Sequence, residues 1–127
     1  MSGYCIDSSG WLEFFVAGKH AKTVLKYLDA KKPIWTPSLV VYEVYKKIAR
    51  EKSETEALLA ITQMDSQSET IVPLDEKLAL FAADISLKYK LAMADAIIYA
   101  TALQQEAILV TGDHHFEKLK DVILMSL

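Results

Sequence analysis

Short apolar runs alternate with longer amphipathic segments along this chain, and the alternation limits the folds open to it. Strands are predicted near residues 4–6, 34–36, 69–73, 107–111 and 122–125. Helices are predicted near residues 9–16, 20–30, 38–51, 54–65, 75–88, 92–105 and 114–119. Strands that alternate with helices in this way favour a parallel sheet covered by helices. The sequence therefore predicts an α/β fold, a three-layer α/β/α sandwich with a mainly parallel central sheet.

Two of the predicted strands lead directly into an acidic residue. The run Tyr4-Cys5-Ile6 ends at Asp7, and the run 107–110 leads through Thr111 and Gly112 to Asp113. In open parallel sheets the functional crevice lies beyond the carboxyl ends of the strands, so these two acids are expected to converge there. Each acid also has a second interpretation, as the N-cap of the helix that follows it.

Two further acids lie on predicted helices. Glu43 sits beside the apolar stripe of its helix, where the alternative is a solvated ion pair with Lys46 or Lys47 at helical spacing. Asp95 is surrounded by the almost wholly apolar segment 91–103. An unpaired carboxylate in such a helix is costly and normally neutralises, pairs or binds a metal. The alternative for Asp95 is a place in the first turn, where it would stabilise the helix dipole.

A cluster of these four acids would need cations. Two carboxylates about 4 Å apart repel by roughly 4 kcal/mol at an effective dielectric near 20. Magnesium and manganese favour oxygen ligands, whereas zinc and iron sites usually recruit His or Cys, of which this chain has three and one. A pair of such ions stabilises the attacking and leaving oxygens of a phosphodiester. The acids therefore indicate hydrolytic nuclease chemistry. Cys5 is interpreted as a small buried hydrophobe, and His114 and His115 as solvent-facing or close to substrate.

The order Asp, Glu, Asp, Asp on strand, helix, helix and strand resembles the PIN-domain nucleases. The local matches are Ile6-Asp7-Ser8-Ser9, Tyr42-Glu43-Val44, the segment 93–102 around Asp95, and Leu109 to Asp113 followed by His115-Phe116. The resemblance covers nearly the whole chain. Its length makes the chain similar to the VapC-type toxins of toxin–antitoxin pairs.

The resemblance implies a function and a set of site residues. Asp7, Glu43, Asp95 and Asp113 would bind Mg²⁺ or Mn²⁺, with the Thr111 hydroxyl beside the last acid. The implied activity is endoribonuclease cleavage of RNA, blocked by a partner antitoxin, in a protein that is commonly a homodimer. Ser8 fits a secondary role next to the first Asp. Gly112 departs from the family pattern, which frequently has a basic or amide residue there, so that a phosphate contact is missing or comes from elsewhere.

The net charge of −3 is unusual for a protein that binds RNA, because nucleic-acid affinity usually rests on basic surface. Setting aside the four candidate ligand acids leaves 14 basic and 13 acidic residues, a balance of +1. Lys46, Lys47, Arg50 and Lys52 follow Glu43 and are candidates for phosphate contacts, with a solvated helix face as the alternative. Since the chain has a single Arg, we expect recognition of RNA shape and exposed nucleotides.

Length and composition set the remaining expectations. At 127 residues and 52% hydrophobic content the chain, residues 1–127, is expected to be one domain. It has one cysteine, no recognisable secretory signal at Met1-Ser2-Gly3 and no apolar stretch of membrane-spanning length, so we expect a cytoplasmic protein. The rival functions are a non-catalytic PIN-like binding or scaffold module and a structure-specific DNA nuclease. A haloacid-dehalogenase-like phosphatase is disfavoured, because Asp7 lacks a second Asp two positions on.

Overall fold

The computed structural model describes residues 3–125. The expectation that the chain lacks a secretory signal rests partly on Met1 and Ser2, which lie outside that range. The helices are α1 (Ser8–Phe15), α2 (Ala21–Leu28), α3 (Ser38–Glu51), α4 (Glu54–Gln67), α5 (Glu76–Tyr89) and α6 (Met93–Gln104), with a 3-10 helix at His114–Phe116. The strands are β1 (Tyr4–Ile6), β2 (Trp35–Pro37), β3 (Thr70–Val72), β4 (Ile108–Thr111) and β5 (Val122–Leu124).

All the strand pairs in the described range are parallel. One sheet has the order β1-β4-β5, and the other pairs β2 with β3. An isolated parallel bridge between Tyr4 and Ile34 joins the two, so the strands follow each other in the order β3-β2-β1-β4-β5. The helices cover this central sheet in an α/β/α arrangement, which confirms the predicted fold class. Because β1 and β4 are parallel neighbours, their carboxyl ends lie side by side.

The register of β1 and β4 brings the two strand-ending acids to one place. Ile6 pairs with Val110, and the Asp7 amide donates to the Val110 carbonyl at 3.1 Å. The side chains that follow the two strands therefore start from adjacent points on the same edge of the sheet. The predicted convergence of the segments after β1 and β4 is confirmed.

Helix α6 is the most enclosed element of the fold. All its residues from 96 to 102 are buried, and they pack into one core with the strands and with α3 and α5. This burial agrees with the apolar sequence around Asp95, which lies in the first turn at the exposed start of the helix. The core thus holds α6 firmly and presents its amino end beside the carboxyl edge of the sheet.

The segment 114–119 differs from the predicted short helix. Only His114–Phe116 is helical, and it is a 3-10 helix. The chain must return from the end of β4 to the start of β5 within ten residues, since Leu109 pairs with Val122. A 3-10 helix advances about 2.0 Å per residue against 1.5 Å in an α-helix, so the tighter helix suits this short crossover.

Two side chains near the start of the chain are fully buried. Cys5 is fully buried in β1, as predicted, and burial raises the pKa of its thiol. Trp11 is also fully buried and stacks on Phe15 with ring centroids 5.8 Å apart. Within residues 3–125, no helix combines the length and apolar character needed to cross a membrane.

Candidate functional site

Asp7 lies at the centre of a hydrogen-bond network at the carboxyl edge of the sheet. Its side chain is 4% exposed. One carboxylate oxygen, Oδ1, accepts from the Ser9 hydroxyl and from the Gly10 amide at 3.2 Å, while Oδ2 accepts from the Thr111 hydroxyl. The Thr111 hydroxyl also accepts from the Asp113 amide at 2.9 Å. Thr111 therefore links the first acid to the turn that carries the last one.

Ser9 forms a second link between the two turns. Its hydroxyl donates to Asp7 and accepts from the Gly112 amide at 3.0 Å, a contact between residues 103 positions apart. The sequence pattern predicts a secondary role for Ser8 and does not single out Ser9. The sequence shows two hydroxyl side chains after Asp7, those of Ser8 and Ser9. Which of the two contacts Gly112 depends on the fold.

Glu43 approaches the same site from α3. Its atom Oε1 is buried and has no hydrogen-bond partner among residues 3–125. The alternative interpretation as an ion pair with the following lysines is not what the structure shows. Lys47 pairs with Glu51 at 2.8 Å, and Lys46 donates to the Tyr42 hydroxyl at 3.3 Å. A buried carboxylate oxygen without a partner is unusual, because buried polar atoms are normally hydrogen-bonded.

Asp95, Asp113 and His115 form the tightest group of candidate ligands in the described part of the chain. One ligand atom from each lies within 4.8 Å of the other two. The His115 Nδ1 atom is 2.8 Å from Asp113 and 3.5 Å from Asp95. Asp95 is 20% exposed and His115 is 78% exposed. His115 was expected to face solvent or substrate, and the structure adds that its ring also contacts two acids of the cluster.

The interpretation of these acids as helix caps is compatible with their place in one cluster. Asp7 caps α1 through Gly10, Asp113 caps the 3-10 helix through the His115 amide at 2.8 Å, and Asp95 lies in the first turn of α6. Three helix amino ends thus point toward one group of carboxylates. Their backbone amides and dipoles stabilise negative charge at this place. Capping fixes where the carboxylates lie, but it leaves their mutual repulsion uncompensated.

Burial and mutual repulsion change the acidity of the cluster. Burial, followed by the charge of Asp113, raises the pKa of Asp95 to about 6, while His115 acts in the opposite direction. Burial also raises the pKa of Asp7, although the hydrogen bonds from Ser9, Thr111 and Gly10 oppose that rise. For Glu43, burial again raises the pKa and the hydrogen bond with Ser8 lowers it. The cluster is therefore short of positive charge.

These residues fit a divalent cation. The donor set consists of carboxylate oxygens, which hard ions such as Mg²⁺ and Mn²⁺ prefer. Glu43 contributes a buried oxygen that lacks a partner among the described residues, and Asp95 and Asp113 contribute oxygens that repel each other. A cation between Asp95 and Asp113 would relieve their repulsion, and a cation at Glu43 would give its buried oxygen a partner. His115 is the one nitrogen donor in the tight group, and its side chain is exposed.

The four candidate substrate residues do not share one surface. Ser8 hydrogen-bonds Glu43 and so belongs to the carboxylate cluster. Lys47 lines a cleft together with Ser9 and Gly112, next to the cluster. Lys46 instead lines an apolar groove between α3 and α4. Arg50 lies 3.4 Å from Glu51 and is exposed. Lys52, a further member of the basic segment, lines the same cleft as Lys47.

Known proteins resemble the chain over nearly its whole length. A model of the PIN domain family matches residues 4–122. No curated protein sequence matches the chain. A toxin–antitoxin complex from Klebsiella pneumoniae contains a chain that superposes with a TM-score of 0.77 at 23% identity, covering 95% of this chain and 96% of that one.

Two further solved structures are similar. VapC20 from Mycobacterium tuberculosis, described as a toxin that cleaves the sarcin-ricin loop, has a TM-score of 0.76 at 17% identity, covering 94% of this chain and 97% of that one. VapBC2 from Rickettsia felis, bound to a DNA fragment from its promoter, has a TM-score of 0.75 at 17% identity, covering 96% of each chain. At these identities the likeness shows a common fold. Because the family model spans residues 4–122, the resemblance seen in the sequence is confirmed, and the chain belongs to the PIN domain family.

Proposed function

We propose that this protein is a metal-dependent endoribonuclease that hydrolyses RNA phosphodiester bonds, and that it is the toxin of a VapBC-type toxin–antitoxin pair. The observation that carries the proposal is the gathering of Asp7, Glu43, Asp95 and Asp113 at the carboxyl edge of the sheet, with a Glu43 oxygen buried and unpaired among the described residues. Membership of the PIN domain family supports nuclease chemistry. The whole chain, residues 1–127, would act as one domain.

The four acids would hold Mg²⁺ or Mn²⁺, and the surrounding residues would keep them in place. When bound, a divalent ion supplies Lewis-acid stabilisation of phosphoryl oxygens and promotes ionisation of the attacking water. Thr111 and Ser9 orient Asp7 through their hydroxyls, and Ser8 orients Glu43. We assign Thr111 a positioning role, because its hydroxyl is engaged with Asp7 and with the Asp113 amide.

The charge balance is compatible with an RNA substrate. Two divalent ions would bring the formal charge of the chain from −3 to +1. Lys47 and Lys52 lie on the cleft beside Ser9 and Gly112, where phosphates flanking the cut would pass. Since phosphate contacts dominate nucleic-acid affinity, these two lysines are better placed for substrate than Lys46 or Arg50.

The partner proposal rests on the solved structures with the same fold. The Klebsiella pneumoniae structure is a toxin–antitoxin complex, and the VapBC2 structure is bound to promoter DNA. By analogy, the cognate antitoxin of this chain would cover the acidic site, and the toxin would be a cytoplasmic homodimer. The VapC20 description suggests a structured ribosomal RNA loop as a target class to test first.

Cleavage of RNA with and without divalent ions tests the function. We expect purified protein to cut total bacterial RNA at a small number of positions in Mn²⁺ or Mg²⁺ and to leave it intact in EDTA. Sequencing of the new 5′ ends locates the cuts, and single-stranded DNA serves as the control substrate. RNA that stays intact with both ions would reject the nuclease proposal in favour of a binding module. Preferential cutting of the DNA would identify a DNA nuclease instead.

A further inference from the structure

A cleft of about 410 Å³ opens beside the acidic cluster, between α1, α3 and the turn after β4. It reaches the cluster through Ser9 and Gly112, which both line it and are hydrogen-bonded to each other. Its surface is mainly apolar, and basic side chains lie among its lining residues. The apolar members are Leu12, Val16, Ile48 and Met125, and the basic ones are Lys47 and Lys52. A volume of this size falls within the range of small-ligand sites in proteins.

Gly112 keeps the inner end of this cleft open. A Cβ atom at position 112 would lie 3.5 Å from the Ser9 hydroxyl oxygen and 3.6 Å from the Met125 methyl carbon, which are ordinary contact distances. Position 112 also lacks the positive φ that would require glycine. A larger side chain is therefore sterically possible there, and beyond its Cβ it would occupy space next to Ser9 and Met125, which both line the cleft.

Of the two lysines that line the cleft, Lys52 has no ion-pair partner within residues 3–125. Glu51 is bound by Lys47 at 2.8 Å. A Glu13 carboxylate oxygen accepts from the His20 amide at 3.3 Å and so holds the turn after α1. Lys52 forms no ion pair in the described range. The cleft therefore combines apolar walls with one available cation, a combination suited to the flat apolar face of a nucleobase and its adjoining phosphate.

We propose that this cleft binds a nucleobase of single-stranded RNA adjacent to the phosphodiester that is cut, and that Gly112 is the residue that admits it. The inference rests on the proposed function, because the scissile phosphate would lie beside the divalent ions that the acidic cluster would hold, while the neighbouring base enters past Ser9. A nucleotide splayed out of a loop offers an unstacked base of the kind that proteins bind in such sites. The cleft would give the enzyme its preference for the base beside the cut.

Closing the cleft from two sides tests the proposal. Gly112→Leu fills its inner end. Val16→Trp narrows it at the C-cap of α1, where Val16 is 55% exposed. Thr55→Leu, at an exposed position on α4, is the matched control for an added leucine. Cleavage profiles come from sequencing the product ends of a random single-stranded RNA pool. Binding of a fluorescent random RNA is measured by anisotropy in an Asp95→Asn background.

We expect both cleft variants to keep the thermal shift caused by Mn²⁺, to lose the base preference beside the cut, and to bind RNA at least about tenfold more weakly. Thr55→Leu should behave like the parent. An unchanged base profile and unchanged affinity in both cleft variants would overturn the cleft proposal while cleavage itself stands. If the parent binds RNA without cutting it, and the cleft variants bind RNA more weakly, then the cleft is an RNA-binding site and the nuclease function is rejected. If the cleft variants keep the base profile and the RNA affinity of the parent but are no longer inhibited by the antitoxin, then the cleft binds the antitoxin. The nucleobase proposal is then wrong.

Discussion

Asp95→Asn is expected to abolish RNA cleavage while leaving the protein folded. The substitution keeps the shape of the side chain and removes one of the charges that would hold the divalent ion. Stabilisation of a phosphodiester transition state by such ions contributes several kcal/mol, so the rate should fall at least about a hundredfold. Initial rates on the RNA cut by the parent measure the loss, with Mn²⁺ in excess.

The same variant should be more stable than the parent when no metal is present. Burial and the charge of Asp113 together raise the pKa of Asp95 to about 6, so at pH 8 the parent carries an ionised group that its surroundings disfavour. Removing that charge should raise the thermal midpoint in EDTA by a few degrees, equivalent to about 1 kcal/mol. Asp84→Asn, at an exposed position on α5, is the matched control and should change neither the midpoint nor the rate. Full activity in Asp95→Asn would show that Asp95 is not part of the catalytic site.

Thr111→Val is expected to reduce both stability and cleavage, although valine has nearly the same shape. The Thr111 side chain is fully buried, and its hydroxyl donates to Asp7 and accepts from the Asp113 amide. Valine would leave a buried carboxylate oxygen and a partly buried amide without this partner, at a cost of about 2 kcal/mol or more. Because Asp7 would also lose its orientation, cleavage should fall roughly tenfold to a hundredfold.

Thr111→Ser distinguishes the contribution of the hydroxyl from that of the methyl group, because serine keeps the first and lacks the second. Serine retains the donor and acceptor, so it should keep the cleavage rate within about threefold of the parent while losing some packing. A positioning role further predicts that Thr111→Val weakens the affinity for Mn²⁺, measured by titrating the thermal midpoint. Equal Mn²⁺ affinity and equal rates in the valine and serine variants would show that the Thr111 hydroxyl does not support the site.

Local patterns in the sequence were sufficient to predict the elements that build the site. Apolar runs ending at Asp7 and Thr111 identify parallel strands, and their pairing brings the following residues together without knowledge of side-chain contacts. The apolar surroundings of Asp95 likewise predict an enclosed helix, and α6 is buried along residues 96–102. These predictions succeed because strand ends and helix faces follow directly from periodicity.

The details of the site depend on contacts that periodicity does not specify. The bond from Ser9 to Gly112 joins residues 103 positions apart, so it exists only once β1 and β4 have paired. The rotation of α3 decides that Lys47 faces the cleft whereas Lys46 faces the groove beside α4. The contact of His115 with Asp95 and Asp113 arises from the 3-10 crossover, where an ordinary helix was predicted.

The thermal midpoint in Mn²⁺ and in EDTA, for the parent and for Asp7→Asn, tests most directly whether the acids form a metal site. A ligand present at a hundred times its dissociation constant stabilises the folded state by about 2.7 kcal/mol, which corresponds to a rise of several degrees. We expect this rise in the parent and its loss in Asp7→Asn, each compared with its own midpoint in EDTA. Equal midpoints of the parent in Mn²⁺ and EDTA, or the same rise in Asp7→Asn, would show that the acids do not form the metal site.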